Sequence, residues 1–250
     1  MLLAAALLGA AWLAGPAAAQ GAFSPAQRTE IEQIIKQYLV KNPEVLQEAI
    51  GELEKRQQES QKVAQQAMLA QAGKTLFNSP HGNVIGNPAG DVTLVEFFDY
   101  NCGYCRAALP DMAALLAEDP NLRVIFKEFP ILSNESIDAA RVAVLVGDAD
   151  VDYWAFHEAL FSSRGKVDKK VALTAATDLG LSQVNLELGM GSAEVSETIQ
   201  TSYEIAKALN ITGTPTYIIG NEIIPGAIGI DELRTRIANM RACGQTQCDS

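Results

Sequence analysis

Residues 92–110, VTLVEFFDYNCGYCRAALP, pass from an apolar, β-rich run (Val92 to Phe98) through two closely spaced thiols into a helix-like stretch, Arg106 to Ala117. The change of period puts Cys102 and Cys105 at a strand-to-helix junction. A helix N-terminus presents unpaired backbone N–H groups and the positive end of the macrodipole, which favour a thiolate over a thiol. Cys102, the outermost, is therefore expected to be the acidic and more accessible thiol, with Cys105 one turn further in. Two intervening residues leave the second sulfur close enough to attack a mixed disulfide formed on the first, the geometry of a dithiol/disulfide couple. The plain structural alternative is a static disulfide.

The chain has four cysteines in two close pairs, Cys102/Cys105 and Cys243/Cys248, so the compartment decides how they are read. Residues 1–19, MLLAAALLGAAWLAGPAAA, carry no charged side chain and end in an Ala-x-Ala pattern. This reads as a secretory signal cleaved near Ala19, although no Lys or Arg precedes its apolar core; a membrane anchor is the alternative. Removal leaves 231 residues (250 minus 19), enough to bury a core without disulfide staples. The expected location is the periplasm or outside the cell. The net charge of −11 lies wholly in that mature part and argues against nucleic acid as a partner. In an oxidising compartment, Cys243 and Cys248 are expected to form a local structural disulfide. A zinc site from all four cysteines fits the count, but export and the placement of the first pair speak against it, so no metal is expected.

Ser24-Pro25 and Asn42-Pro43 both read as helix starts. The first helix carries Ile31, Ile34, Ile35, Tyr38 and Leu39 on one face; the second runs to about Ala72. Every residue from Glu54 to Lys62 is charged, Gln or Ser, so this middle stretch is a solvated connector or part of a self-associating stalk, not a buried core helix. Turn residues at 78–82 and 86–90 mark entry into a second unit. There Val92 to Phe98, a helix and Leu122 to Phe126 suggest strand, helix, parallel strand. Helical signals alone fill residues 136–209. Thr216 to Ile219 and Glu222 to Ile224 then flank the hairpin dipeptide Gly220-Asn221, and Asp231 to Ala242 closes with a helix.

LVEFFDYNCGYCRAALP together with the distant TGTPTYIIG resembles the DsbA-like thiol-disulfide oxidoreductases of the thioredoxin superfamily, over about residues 76–242. The resemblance implies an α/β thioredoxin fold with an inserted α-helical domain. The expected organisation is a signal at 1–19, a helical extension at 20–75 like that of a subset of these proteins, and a DsbA-like domain at 76–250 with its insertion at about 136–209. Carried over residue by residue, it makes Cys102 the nucleophile and Cys105 the resolving thiol. It makes Pro215 a cis-proline that turns the Thr214 backbone toward an extended substrate, and Pro110 a helix-kinking residue. Glu96 matches the buried acid that relays a proton to the resolving thiol; a structural ion pair is the alternative, with Lys127 as the nearest partner in sequence. Gly103 and Tyr104 tune the couple and face the substrate. The most oxidising members carry a histidine where Tyr104 stands, and a Gly-Tyr interior is like that of the periplasmic disulfide isomerases. His157, among aromatics, reads as a packed or partly exposed helix residue.

The resemblance implies no cofactor beyond a redox-active Cys102–Cys105 disulfide. Its implied partners are exported proteins bearing cysteines and a membrane redox partner, either a DsbD-like reductant or a DsbB-like oxidant. A homo-oligomer through residues 24–72 would suit an isomerase. The leading expectation is therefore a reductase or isomerase of disulfides in exported proteins, against a DsbA-like oxidase and a non-catalytic chaperone or binding module.

Overall fold

The computed structural model describes residues 23–78 and 83–248; the expected signal and His81 lie outside the described residues. The chain divides into two compact units, up to Gln58 and from Glu59 onward. In the first, helix α1 (Pro25–Lys41) opens with a reciprocal cap: Ser24 Oγ accepts the Gln27 N–H, and the Gln27 side chain accepts the Ser24 N–H. No residue of α1 is buried. Helix α2 (Glu44–Asn78) begins in this unit, where Leu46, Ile50 and Leu53 are exposed.

The second unit holds the sheet. Its strands are β1 (Asn83–Gly86), β2 (Val92–Phe98), β3 (Leu122–Glu128), β4 (Thr216–Ile219) and β5 (Glu222–Pro225), in the order β1-β3-β2-β4-β5. Only β2 and β3 are parallel; helix α3 (Gly103–Glu118) makes the crossover between them. Six of the seven residues of β2 are buried, as befits a central strand covered on both faces. The hairpin of β4 and β5 turns at Gly220, whose φ of 57° suits a residue without Cβ.

The insertion comprises α4 (Asn134–Gly147), α5 (Tyr153–Ser162), α6 (Lys169–Asp178), α7 (Gln183–Gly189) and α8 (Ala193–Ala208); α9 (Ile230–Cys243) closes the chain. Ser133, Asp152, Asp168, Ser182 and Ser192 each cap the helix that follows. One sheet face buries Leu94, Phe98, Val124 and Phe126 with residues of α3, α5 and α9. The other buries Val95, Phe97 and Ile125 with Ile205 and Leu209 of α8 and with Leu69 and Leu76 of α2. The C-terminal part of α2 is thus a core element of the second unit. Strand β1 and helix α7 carry too few apolar residues to stand out in the sequence.

Candidate active site

Strand β2 ends at Phe98, and four residues later the chain turns into α3. Cys102 is the N-cap of α3, extended at φ −81° and ψ 119°, and its own N–H donates to the Asp99 carbonyl at 2.9 Å. Cys102 has no side-chain capping bond, so the free N–H groups of the first turn are left to face its sulfur. Both cysteines are free thiols, describing the dithiol state. Cys102 is 6% exposed and Cys105 1%. Access to Cys102 is therefore much narrower than its outermost position suggests, because the loop before β4 covers it.

That loop supplies the Thr214–Pro215 peptide, which is cis. The Cys102 thiol donates to the Thr214 carbonyl at 3.2 Å, joining segments 112 residues apart in sequence. Cys102 is held down to about 5. A hydrogen bond from the Cys105 thiol is the largest cause; burial opposes it, and Thr214 and the N–H groups of Cys105 and Tyr104 add to it. Cys105 is pushed far up, by burial first and then by its bond to Cys102 and the charge of Glu96. One sulfur is thus a thiolate at neutral pH and its neighbour a thiol. Gly103 has open space where a Cβ would sit, and Tyr104 is 72% exposed beside the pair.

Glu96 sits on β2 opposite Phe126 of β3 and Tyr217 of β4, fully within the core. Burial, helped by the Cys102 charge, raises its carboxyl to about 8. The Lys127 pairing considered from the sequence does not hold: Lys127 is opposite Phe97, so strand alternation turns it to the other sheet face. His157 is buried rather than partly exposed. Its Nδ1 is 3.1 Å from the Tyr100 hydroxyl, and burial lowers it to about 3, which keeps the ring neutral. Tyr100 meets the Tyr153 hydroxyl at 3.3 Å, and Tyr153 donates to Glu128 Oε1 at 3.1 Å. This polar chain carries no motif that sequence reading could have caught; only the fold assembles it. Pro110 lies inside α3, which continues through it to Glu118. Cys243, the last residue of α9, is disulfide-bonded to Cys248 in the segment that follows. Among the described residues no cluster of three or more His, Cys, Asp or Glu is arranged to hold a metal ion, and no helix is long and apolar enough to cross a membrane.

Comparison with known proteins supplies the frame for this geometry. A thioredoxin-like oxidoreductase from Silicibacter pomeroyi is 38% identical, with a TM-score of 0.65 over 68% of this chain and 98% of its own. A linker-deletion variant of ScsC from Proteus mirabilis is 27% identical, with a TM-score of 0.67 over 90% of this chain and 99% of its own. Disulfide bond formation protein D of Bacillus subtilis is 24% identical over 62% of this chain and 74% of its own length. Another relative, Na(+)/H(+) antiporter NhaA 1 of Salinispora arenicola, is 24% identical over 63% of this chain; the chain spans only 24% of that protein's length. Residues 27–59 match the copper resistance protein ScsC N-terminal domain. Residues 93–238, more than half of the chain, match the DSBA-like thioredoxin domain, and the chain belongs to that family of thiol-disulfide oxidoreductases.

Proposed function

We propose that this protein is exported to the periplasm, after cleavage near Ala19, and reduces or isomerises disulfides in other exported proteins through Cys102 and Cys105. The observation that carries the exchange chemistry, though not its direction, is the split between the two sulfurs, one held to about 5 and the other buried and pushed up. The Cys102 thiolate attacks one sulfur of a substrate disulfide; the substrate S–S bond breaks, one substrate thiolate leaves, and a mixed disulfide forms. Cys105 then gives up its proton and attacks the Cys102 sulfur, closing the Cys102–Cys105 disulfide and releasing the second substrate thiol. Two electrons pass from the protein to the substrate. Glu96, near 8, exchanges its proton close to neutral pH; its carboxylate form, the minor one below that value, receives the Cys105 proton. The Thr214 backbone before Pro215 pairs with the extended substrate segment, beside Gly103 and Tyr104.

A DsbD-like reductant would restore the dithiol. Isomerisation needs an enzyme that holds misfolded chains, and association through residues 24–72 would provide facing sites. The exposed apolar residues of α1 and early α2 support that reading. One observation favours the oxidase alternative. A thiolate held to about 5 stabilises the reduced state, which makes a couple more oxidising and would suit a DsbB-like partner.

Reactivation of scrambled ribonuclease, set against oxidation of the reduced enzyme, tests the direction. Recovery of the scrambled substrate is expected. Rapid oxidation of reduced chains with no recovery overturns the isomerase reading. A truncation used in the same assay should end at Gln58, because Leu69 and Leu76 belong to the sheet core.

A further inference from the structure

Two residues that bracket the thiol pair grip one segment of the insertion. Asn101, immediately before Cys102, pairs its amide with both backbone groups of Val167: Nδ2 donates to the carbonyl at 3.0 Å, and Oδ1 accepts the N–H at 2.8 Å. The same Nδ2 donates to Ser136 Oγ at 3.1 Å. Arg106, immediately after Cys105, donates from Nη1 to the Phe161 and Ser163 carbonyls and from Nη2 to the Gly165 carbonyl at 3.5 Å. These three acceptors are all backbone oxygens at or beyond the C-terminal end of α5, where the helix dipole is negative.

The connector between α5 and α6 therefore runs past the first turn of α3, held near Cys105 at one end and near Cys102 at the other. The Asn101 amide imitates a strand partner for Val167, so it sets the register of the connector and not only its proximity. A planar fork can bridge several carbonyls; a lysine ammonium on a flexible stem cannot fix them together. Between the two grips the connector exposes Arg164, Gly165 and Lys166. Nothing in the redox step requires such holding, since Cys102 is already placed by its own helix and by Thr214.

We infer that Asn101 and Arg106 are positioning residues that hold residues 163–167 as a fixed rim beside Cys102, on which the chain of a protein substrate rests while its disulfide meets the thiolate. The inference rests on the thiol-disulfide reading above. It makes a separable statement: a protein substrate needs the rim, whereas a small disulfide reaches Cys102 without it.

The test uses the whole mature protein and four variants: Arg106→Met, Arg106→Lys, Asn101→Leu and the double variant of Arg106→Met with Asn101→Leu. Each is assayed with oxidised glutathione and with scrambled ribonuclease, and thermal unfolding checks that it is folded. We expect glutathione exchange within about threefold of wild type, and kcat/KM on scrambled ribonuclease lowered about tenfold, mainly through KM. Arg106→Lys should fail like Arg106→Met. The double variant should lose no more than about threefold beyond the worse single variant, because both residues hold one connector. The inference is overturned if both substrates slow in parallel, if neither slows, or if Arg106→Lys restores the wild-type KM. Should Asn101→Leu not fold, the two Arg106 variants decide alone. A wild-type protein inert toward both substrates overturns the oxidoreductase reading instead.

Discussion

The Thr214 carbonyl oxygen accepts a hydrogen bond from the Cys102 thiol at 3.2 Å, so the residue proposed to meet substrate is a direct neighbour of the Cys102 sulfur. That bond belongs to the protonated thiol; the Thr214 side chain, by contrast, is among the causes that hold Cys102 to about 5. Thr214→Val keeps the branched shape and removes the hydroxyl. We expect the Cys102 value to rise by about 0.5 to 1, followed by thiolate absorbance at 240 nm. Losing thiolate stabilisation weakens the reduced state, so the couple should become more reducing by about 15–30 mV against a glutathione buffer. A drop of the Cys102 value in this variant would show that the hydroxyl does not stabilise the thiolate.

Cys105 gives the largest single contribution to the acidity of Cys102, while its own proton is held tightly. Cys105→Ala should therefore raise the Cys102 value and still leave a nucleophile. It should accumulate mixed disulfides with substrates, visible as adducts on non-reducing gels. Cys102→Ala should form no adducts and lose at least about a thousandfold in exchange rate, the order expected when a covalent nucleophile is removed. Retention of activity by Cys102→Ala would end the proposed mechanism.

Glu96 carries a pH signature of definite sign. Its folded value of about 8 lies above the ordinary 4.5, so the folded state holds the proton more tightly than the unfolded chain. Its contribution to stability is fully present below 4.5 and is lost as pH rises through about 8. In the oxidised protein, where the thiols no longer titrate, urea denaturation should show wild type losing about 1–3 kcal/mol more than Glu96→Gln between pH 4.5 and pH 8.5. His157 and Lys127 also titrate abnormally, but both chains carry them and the difference cancels them. A constant offset between the two chains across that range would mean that Glu96 is ionised in the fold.

The parts of this protein legible in its sequence are those with a local physical cause. The change of period at Phe98 announces the strand-to-helix junction, and Gly220-Asn221 announces the hairpin. The five helices of the insertion begin at Ser or Asp caps, although α7, at seven residues, is too short for a periodic signal. Strand β1 is a four-residue edge with two apolar side chains between loop residues. The contacts that sequence does not betray are all long-range. Lys127 follows Phe126, yet pleating turns it away from Glu96. His157 looks like one aromatic neighbour among several until Tyr100, 57 residues earlier, is brought against its ring nitrogen. Asn101 and Arg106 differ from any loop Asn or helix Arg only through the connector they hold.

Several large apolar side chains of the first unit stand in water. Ile34, Ile35 and Tyr38 of α1 are each more than half exposed. At about 25 cal/mol per Å² of apolar surface, leaving three such side chains in water forgoes several kcal/mol that a second copy of the chain could recover. Their spacing is that of one helix face, which is what a packed interface requires. Replacing Ile34 and Tyr38 together with glutamate should convert an oligomer to a monomer in light scattering, since buried unpaired carboxylates oppose association. Exchange with oxidised glutathione should persist, because neither residue belongs to the unit that carries Cys102. Reactivation of scrambled ribonuclease should fall at least about tenfold if isomerisation depends on facing sites held at high effective concentration. A monomeric wild type, or a monomeric variant with full isomerase activity, would separate the helical extension from the disulfide chemistry altogether.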